Sequence, residues 1–151
     1  MGAVVLLPFA RRAGPGAGRD QGLLVAGGTA GVALFSGYGL QTVGLQYTST
    51  SNSAFLTGLF VVFTPLLAAG LLRRAPGPAA LAGVALATAG LFLLTGARVA
   101  VSAGDALTFG CALAFAVHIL VLGEVTGRFH PVRLNTVQLV VVAAGSALAL
   151  P

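Results

Sequence analysis

Polar side chains that lie inside long apolar stretches are the residues of this sequence whose types and spacing suit chemistry. They fall on three predicted helix faces, which hold Tyr38 and Gln41, then Ser53, Thr57 and Thr64, then Asn135 and Gln138. A hydroxyl or amide group in hydrocarbon needs a partner or a water-filled cavity, so these faces are candidates for lining the path of a polar solute. The alternative for each hydroxyl is a hydrogen bond to its own helix or to a neighbouring helix. For any single serine or threonine, the sequence favours this alternative.

His118 is the ionisable residue nearest the middle of an apolar stretch. Its position favours a side chain that faces the interior of a helix bundle, whereas proton coupling is the less favoured interpretation. Glu124 precedes Arg128 by four residues, which indicates an interfacial ion pair. The predicted solute-binding residues are therefore Tyr38, Gln41, Thr57, Thr64, His118, Asn135 and Gln138.

The sequence carries no pattern for chemistry on a covalent bond. It lacks a metal-ligand cluster, a phosphate-binding loop, a nucleophile elbow and a Cys/His pairing. Its one cysteine, Cys111, lies in an apolar stretch, where packing is the plainer role. We therefore predict a protein that is not an enzyme and that uses neither a cofactor nor a metal.

Pro65 lies inside an apolar stretch and removes the backbone hydrogen bond to the carbonyl of Val61. A kink or a loosened turn is therefore expected there. Discontinuous helices often form binding sites in transporters, but prolines are also tolerated in membrane helices for packing alone. The sequence leaves both interpretations open.

The elements that must position these residues are helices in a lipid bilayer. Hydrophobic residues make up 57% of the 151 positions and charged residues 7%, and the mean hydropathy is +0.99. An ordinary soluble domain is about a quarter charged, so a soluble helical enzyme is disfavoured. The net charge of +5 and the pI of about 11.2 would suggest nucleic acid in a soluble chain. Here all 8 basic residues are arginines between apolar runs, so membrane topology explains them and we predict no nucleic-acid partner.

Five apolar runs are long enough to cross about 30 Å of hydrocarbon as helices. They cover residues 23–45, 53–72, 79–96, 106–125 and 134–150. A sixth run at residues 2–10 has about half of the required length and is predicted to be the end of a helix whose beginning is missing. The expected fold is an all-α, polytopic transmembrane helix bundle with five full spans and a partial N-terminal helix. The expected partners are the lipid bilayer and a small-molecule solute.

Arginine placement predicts the orientation of these spans. The first, third and fifth connectors hold seven arginines, whereas the second and fourth hold only Arg98. Because short cytoplasmic loops are enriched in Lys and Arg, the first, third and fifth connectors are predicted to be cytoplasmic. The first full span should therefore run outward across the cell membrane. In chain order, the five connectors cover residues 11–21, 46–52, 73–78, 97–104 and 126–133.

Glycine is abundant, and part of it falls at spacings that bring helices together. Gly27 and Gly31 form a Gly-x-x-x-Gly pair. A second stripe of small residues, on the third run, consists of Ala79, Gly83, Ala87 and Gly90. Such stripes allow close backbone approach in lipid, and they predict a compact bundle. Toleration in a membrane helix is a sufficient explanation for Gly37, Gly39 and Gly58.

Polar residues at the starts of two runs predict helix caps. Asn52 and Ser53 are placed to cap the second run, and Ser102 with Asp105 matches the Ser-x-x-Asp form of a capping box before the fourth. For Asp105, the capping role outweighs a binding role.

Four sequence blocks follow one another in a characteristic order. They read GLQYTSTSNSAFLTG at residues 44–58, VVFTPLL at 61–67, GVALATAGLFLLTG at 83–96 and GDALTFGCALAFAVHILVLGEVTGRFHPVRLNTVQ at 104–138. Together they resemble the EamA-like branch of the drug/metabolite transporter superfamily. No single residue is diagnostic, but the order and spacing of the blocks extend over nearly the whole chain.

The resemblance implies a fold of ten transmembrane helices, built as two five-helix repeats of opposite orientation around a central solute cavity. On that plan, residues 2–10 correspond to the end of the second helix and the five full runs to the third to seventh helices. Residues 1–96 would form the C-terminal part of the first repeat and residues 104–151 the N-terminal part of the second. The chain is therefore expected to be incomplete.

The resemblance also implies a function, namely secondary transport of small organic metabolites or drugs across the cytoplasmic membrane without ATP hydrolysis. The predicted polar residues would line the cavity, and one repeat would move against the other to alternate access. A second copy of the chain or a complementing transporter half is a candidate partner. The alternative function is that of a non-transporting assembly or regulatory subunit that packs through its small-residue helix faces.

Overall fold

The computed structural model describes residues 17–96 and 102–149, and the named elements within these ranges are all helices. In chain order they are α1 (Ala17–Gly44), α2 (Thr50–Gly58), α3 (Phe60–Leu72), α4 (Pro78–Thr95), α5 (Ala103–Val125) and α6 (Pro131–Leu148). The predicted partial helix at residues 2–10 lies outside the described residues.

Five stretches among the described helices are long and apolar enough to cross a membrane. They are Asp20–Gly44, Thr50–Leu72, Pro78–Thr95, Ala103–Val125 and Pro131–Leu148, where α2 and α3 together make the second. Large apolar side chains cover their surfaces, and Leu93, Leu94 and Leu148 are 80%, 85% and 88% exposed. Side chains of this kind are suited to contact with lipid. The predicted all-α, polytopic bundle with five spans is confirmed.

Four of these spans begin three residues before the apolar runs that predicted them, and side-chain caps explain two of these starts, those of α2 and α5. The N-cap of α2 is Ser49, whose Oγ accepts from the N–H of Asn52 at 3.1 Å. Asn52 and Ser53 therefore lie inside the helix, and the prediction that they cap it is wrong. The capping box of α5 is confirmed: the N–H of Ser102 donates to the Asp105 carboxylate at 3.1 Å, and the N–H of Asp105 donates to Ser102 Oγ at 3.0 Å.

The second span is interrupted at Leu59, between α2 and α3. The N–H groups of Val62 and Phe63 both donate to the carbonyl of Leu59, at 2.9 and 3.0 Å, so the regular spacing of helix bonds changes there. Pro65, where the kink was expected, lies inside α3. A proline disturbs the turn that precedes it, and Gly58 is the weakest helix former near that turn. The interruption therefore falls beside Gly58.

The chain divides into two compact units, residues 36–120 and residues 1–35 with 121–151, which we describe separately. In the 36–120 unit, α2 and α3 pack against α4. The end of α1 packs on the start of α5: a Cβ at Gly44 would lie 3.0 Å from the Gly104 carbonyl oxygen, and Leu40 would lie 3.4 Å from a Cβ at Gly110. Since the contacts move back along α1 as they move forward along α5, these two segments are antiparallel.

The other unit contains the first part of α1 and all of α6. A Cβ at Gly27 would lie 2.8 Å from Val137 Cβ, and one at Gly31 would lie 2.8 Å from Val141 Cβ. Both contacts advance by four residues on each helix, so α1 and α6 run parallel here. The predicted close approach at the Gly-x-x-x-Gly pair is confirmed.

An ion pair joins the starts of α1 and α6 in the same unit. Arg133 Nη2 lies 2.5 Å from Asp20 Oδ1, with both side chains partly exposed. Next to it, the Phe129 ring would lie 3.2 Å from a Cβ at Gly22. The first turns of α1 and α6 therefore lie at the same end of this unit, as two spans of equal direction require.

Two glycines whose presence seemed explained by the tolerance of membrane helices for glycine are in fact closely packed. Gly58 of α2 lies against the Leu91 side chain of α4, and Gly37 of α1 lies against the Phe115 ring of α5. Gly39 has no side chain or neighbouring backbone within 4 Å of a built Cβ, so toleration is sufficient only there.

The small-residue stripe on α4 is open. Ala79, Gly83, Ala87 and Gly90 are all exposed, and a Cβ at either glycine would meet no described atom within 4 Å. This face of α4 is therefore not used for packing within the described part of the 36–120 unit.

Candidate functional site: a polar seam within the helices

Polar side chains connect three helices of the 36–120 unit at the end of α1, along α2 and in the first half of α5. We use the name polar seam for Gln41, Ser53, Thr57 and Cys111. We use the name rim network for Thr48, Asn52, Ser102 and Asp105, which lie where α2 and α5 begin.

Thr57 joins the three helices of the polar seam. Gln41 Nε2 of α1 donates to Thr57 Oγ1 of α2 at 3.1 Å. The Thr57 side chain is also hydrogen-bonded to the thiol of Cys111 on α5, which is fully buried. A hydroxyl that bonds across helices rather than to its own carbonyl holds neighbouring helices in register. Thr57 therefore fixes the lateral position of α2 between α1 and α5.

Ser53 lies one helical turn before Thr57, on the same face of α2. Its side chain is 1% exposed, and its Oγ has no hydrogen-bond partner among the described residues. A buried hydroxyl without a partner costs about 1–3 kcal/mol, and such groups are rare in folded proteins. Ser53 is therefore the group of the polar seam that retains its full capacity to donate and to accept.

The rim network closes the start of α5 against the connector that precedes α2. The Asp105 carboxylate accepts from the Thr48 hydroxyl, from the Ser102 N–H and from the Asn52 side chain. These bonds satisfy both carboxylate oxygens and complete the cap of α5. Asp105 therefore holds the connector in place and is not available as a counter-ion for a second charge.

Gly104 makes this arrangement possible. A Cβ there would lie 2.5 Å from the Gly44 carbonyl oxygen and 2.7 Å from the backbone nitrogen of Thr48. Backbone atoms cannot move aside as a flexible side chain can, so only glycine allows the two segments to approach this closely.

Aromatic side chains pack around the polar seam within the same unit. The rings of Phe63 and Phe109 join α3 to α5 edge to face, with centroids 5.0 Å apart, and those of Phe55 and Phe92 join α2 to α4 at 5.8 Å. Edge-to-face pairs of this kind add about 0.5–1.5 kcal/mol beyond the burial of their area. They hold both halves of the interrupted span against their neighbours.

Comparison with known proteins identifies the family. Residues 1–96 match the profile of a family described as the EamA-like transporter family. This chain belongs to that family. It is also 34% identical over 104 residues to an uncharacterized transporter of Archaeoglobus fulgidus, a match that covers 69% of this chain and 33% of the relative. The matched part of this chain thus spans only a third of that relative's length, and no solved structure matches the chain.

Three other predicted binding residues of this EamA-like chain lie in the 36–120 unit but outside the polar seam. Tyr38 is half exposed, and its ring packs edge to face on Phe115. Thr64 donates to the carbonyl of Phe60 at 2.7 Å, so its hydroxyl bonds within its own helix. His118 is half-buried on α5. The structure brings together Gln41 and Thr57, whereas the Thr64 hydroxyl bonds within its own helix and the Tyr38 ring packs on Phe115.

The remaining two predicted residues belong to the other unit. Gln138 is buried and donates to the carbonyl of Leu134 at 3.3 Å, and its Cα would lie 3.1 Å from a Cβ at Gly31. Asn135 is exposed. Gln138 therefore packs against α1, whereas Asn135 lies on a different side of α6.

Five members of the two networks were assigned to capping or packing from the sequence, namely Asn52, Ser53, Ser102, Asp105 and Cys111. The spacing of Ser53 and Thr57 does place both hydroxyls on one face, and this was the available signal. Nothing in the sequence of α5 shows that Cys111 lies opposite Thr57, because that contact depends on the register between two helices.

The polar seam offers hydroxyl, amide and thiol groups to a ligand. Such groups bind and orient a polar molecule by hydrogen bonding, but they supply no strong acid, base or nucleophile. Among residues 17–96 and 102–149, no three His, Cys, Asp or Glu side chains are grouped so that they could hold a metal ion. The site therefore suits the binding of a polar molecule.

Proposed function

We propose that this chain contributes helices to a secondary transporter that moves small organic metabolites or drugs across the cytoplasmic membrane without ATP hydrolysis. The observation that carries the proposal is the Gln41–Thr57–Cys111 connection, which places polar groups inside membrane-spanning helices of an EamA-like chain. Polar residues are costly in hydrocarbon, and within transporters they mark the solute path.

The transport unit in this proposal is built from two repeats, with residues 1–96 in the first and residues 104–151 in the second. The proposed lining includes the seven predicted residues, of which Gln41 and Thr57 have the strongest support because they bond across helices. The greater length of the archaeal relative supports a transporter with more helices than those described here. A second copy of this chain or a complementing half would supply them.

The proposed orientation places residues 11–21, 73–78 and 126–133 in the cytoplasm. Its support is the distribution of arginine, with seven in these three connectors and one in the other two. The direct contact between Asp20 and Arg133 is compatible with it, since both residues belong to connectors assigned to the same side.

A solute panel tests the proposed transport. Amino acids, nucleosides and lipophilic cations, each radiolabelled, would be offered to ATP-free proteoliposomes that contain either this chain or the archaeal relative. Saturable uptake of at least one solute is expected. Absence of uptake by both proteins would contradict the proposal.

A specific observation favours the alternative function as an assembly subunit. The open small-residue face of α4 is of the kind that packs against another membrane helix. Crosslinking from Gly83→Cys and Gly90→Cys in native membranes separates the two functions. A defined hetero-complex without solute flux would favour the assembly role, whereas self-pairing with flux would favour transport.

A further inference from the structure

We propose that Ser53 and Gln41 form a subsite for one uncharged O–H group, which is supplied either by a hydroxyl of the transported solute or by a bound water. The subsite is reached from the end of the 36–120 unit where the rim network lies. Binding of a solute hydroxyl at this subsite rests on the proposed transport function, whereas binding of a water does not.

The Ser53 hydroxyl provides the first half of the subsite. This hydroxyl is almost completely buried and unpartnered among the described residues, although residues on both sides of Ser53 in α2 make contacts with α5. On one side, Asn52 bonds to Asp105, and on the other, Thr57 bonds to Cys111. The seam is therefore built around Ser53, and its free hydroxyl matches a ligand that both donates and accepts one hydrogen bond.

Gln41 provides the second half. Its Nε2 is bonded to Thr57 Oγ1, and this bond fixes the amide and leaves Oε1 as an acceptor. Thr57 itself is already bonded to both Gln41 and Cys111. An incoming group therefore finds an acceptor at Gln41 and a donor and acceptor at Ser53, which is the complement of an O–H group.

Charge decides which chemical class fits. Asp105 is the one acidic residue in the sequence between positions 36 and 120, and its carboxylate is already bonded to three residues of the rim network. Burying an ionised group without a counter-ion costs far more than a hydrogen bond returns. The four residues of the polar seam are themselves uncharged, so neither a carboxylate nor an ammonium group finds a counter-ion among them, and the seam favours a neutral group.

Position decides the route of entry. Ser53 is the fourth residue of α2, so it lies about 5 Å along the helix axis from the first. The rim network lies at that same end, where α2 and α5 both begin. A polar group that enters beside the rim network reaches Ser53 first, and Thr57 lies about 6 Å deeper.

Single-cysteine labelling tests the subsite in the full 151-residue chain. Cys111→Ser removes the native thiol and keeps a hydrogen-bonding group for Thr57. In this background, Ser53→Cys is treated with an uncharged, membrane-impermeant methanethiosulfonate glycoside, added in turn to each side of the membrane. Thr50→Cys at the exposed start of α2 is the positive control, and Leu86→Cys, at an exposed position in the middle of α4, is the negative control.

We expect Ser53→Cys to react about tenfold faster than Leu86→Cys, and only from the side on which Thr50→Cys reacts, because thiolate forms in contact with water and not in lipid. Three solutes of matched size then distinguish the occupants: propane-1,2-diol, lactate and 1-amino-2-propanol. If the diol alone slows labelling, the occupant is a solute hydroxyl. If none of the three slows it, the occupant is water.

Labelling of Ser53→Cys at the rate of Leu86→Cys would overturn the subsite. The subsite would also be overturned if lactate or 1-amino-2-propanol protected Ser53→Cys from labelling as well as, or better than, propane-1,2-diol. If Ser53→Cys does not fold, as judged by helical content and gel filtration, Gln41→Cys in the same background replaces it. Its labelling rate and its protection by the three solutes are then judged in the same way. Labelling needs no transport, so its failure and a failure of solute uptake are separate results.

Discussion

Gly104 links a single residue to the whole of the rim network. A Cβ at this position would lie 2.5 Å from the Gly44 carbonyl oxygen and 2.6 Å from the carbonyl carbon of Tyr47. Relief of these clashes requires the connector to move away from α5, which would lengthen the bond between Thr48 and Asp105. The position of the connector thus depends on glycine at residue 104, because glycine has no Cβ.

We expect Gly104→Ala to lower the free energy of unfolding by about 1–3 kcal/mol, as overpacking against fixed atoms does. The matched control is Gly123→Ala, in the same helix, where a Cβ meets no described atom within 4 Å. Thermal unfolding in detergent, followed by circular dichroism, measures both. Equal melting temperatures for the two variants would contradict the packing described at Gly104.

Arg73 ends α3 in a left-handed conformation, with φ of 54°. A side chain costs about 1–2 kcal/mol in this region, and glycine avoids that cost. We therefore expect Arg73→Gly to raise the melting temperature relative to Arg73→Ala, which removes the charge but keeps the Cβ. A higher melting temperature for the alanine variant would show that the left-handed residue is not strained.

At the scale of elements, the parallel contact between α1 and α6 depends on glycine at positions where the two helices touch. A Cβ at Gly31 would lie 2.8 Å from Val141 Cβ and 3.1 Å from Gln138 Cα. Gly28, one turn earlier on α1, has no described atom within 4 Å of a built Cβ. The two glycines therefore differ in packing and share the same helix.

We expect Gly31→Ala to destabilise the protein by about 1–3 kcal/mol and Gly28→Ala to be neutral or slightly stabilising. Unfolding by a denaturing detergent, monitored by circular dichroism, gives both values. If the two variants unfold at the same detergent fraction, close packing of α1 on α6 is not what the glycine pair provides.

Helix type and helix ends were predictable from the sequence to different degrees. The Ser102–Asp105 capping box could be predicted because its partners lie three residues apart. The interruption at Leu59 could not be placed, because the effect of Pro65 is shared with Gly58 and with the packing of Leu91. Residues close together in the sequence determine a helix cap, whereas tertiary packing determines where a strained helix is interrupted.

At the scale of the whole molecule, apolar runs separated by arginine-rich connectors were enough to predict five spans, and the structure confirms them. The candidate site was harder to predict from the sequence than the spans were. The Gln41–Thr57 bond joins residues on two faces that the sequence could only describe separately. The pairing of helix faces depends on the register between two helices, and this register cannot be read from composition or from residue spacing.

The orientation of the chain can be tested by reporter insertion. Alkaline phosphatase fused after Thr48 should be active, because that connector is proposed to lie outside the cytoplasm, where the enzyme's disulfides form. Green fluorescent protein fused after Arg74 should fluoresce, because that connector is proposed to be cytoplasmic. The reverse pattern would contradict the assignment made from arginine placement.

Solute uptake by Thr57 variants tests the central claim most directly. The assay offers the solute found by the panel to proteoliposomes that contain each variant. Thr57→Val removes the hydroxyl that bonds Gln41 and Cys111 at nearly constant volume, while Thr57→Ser keeps it. We predict that valine lowers the initial rate about tenfold, the equivalent of about 1.4 kcal/mol, and that serine stays within about twofold of the unaltered chain. Equal rates for the valine variant and the unaltered chain, with both folded, would contradict a solute path along the polar seam.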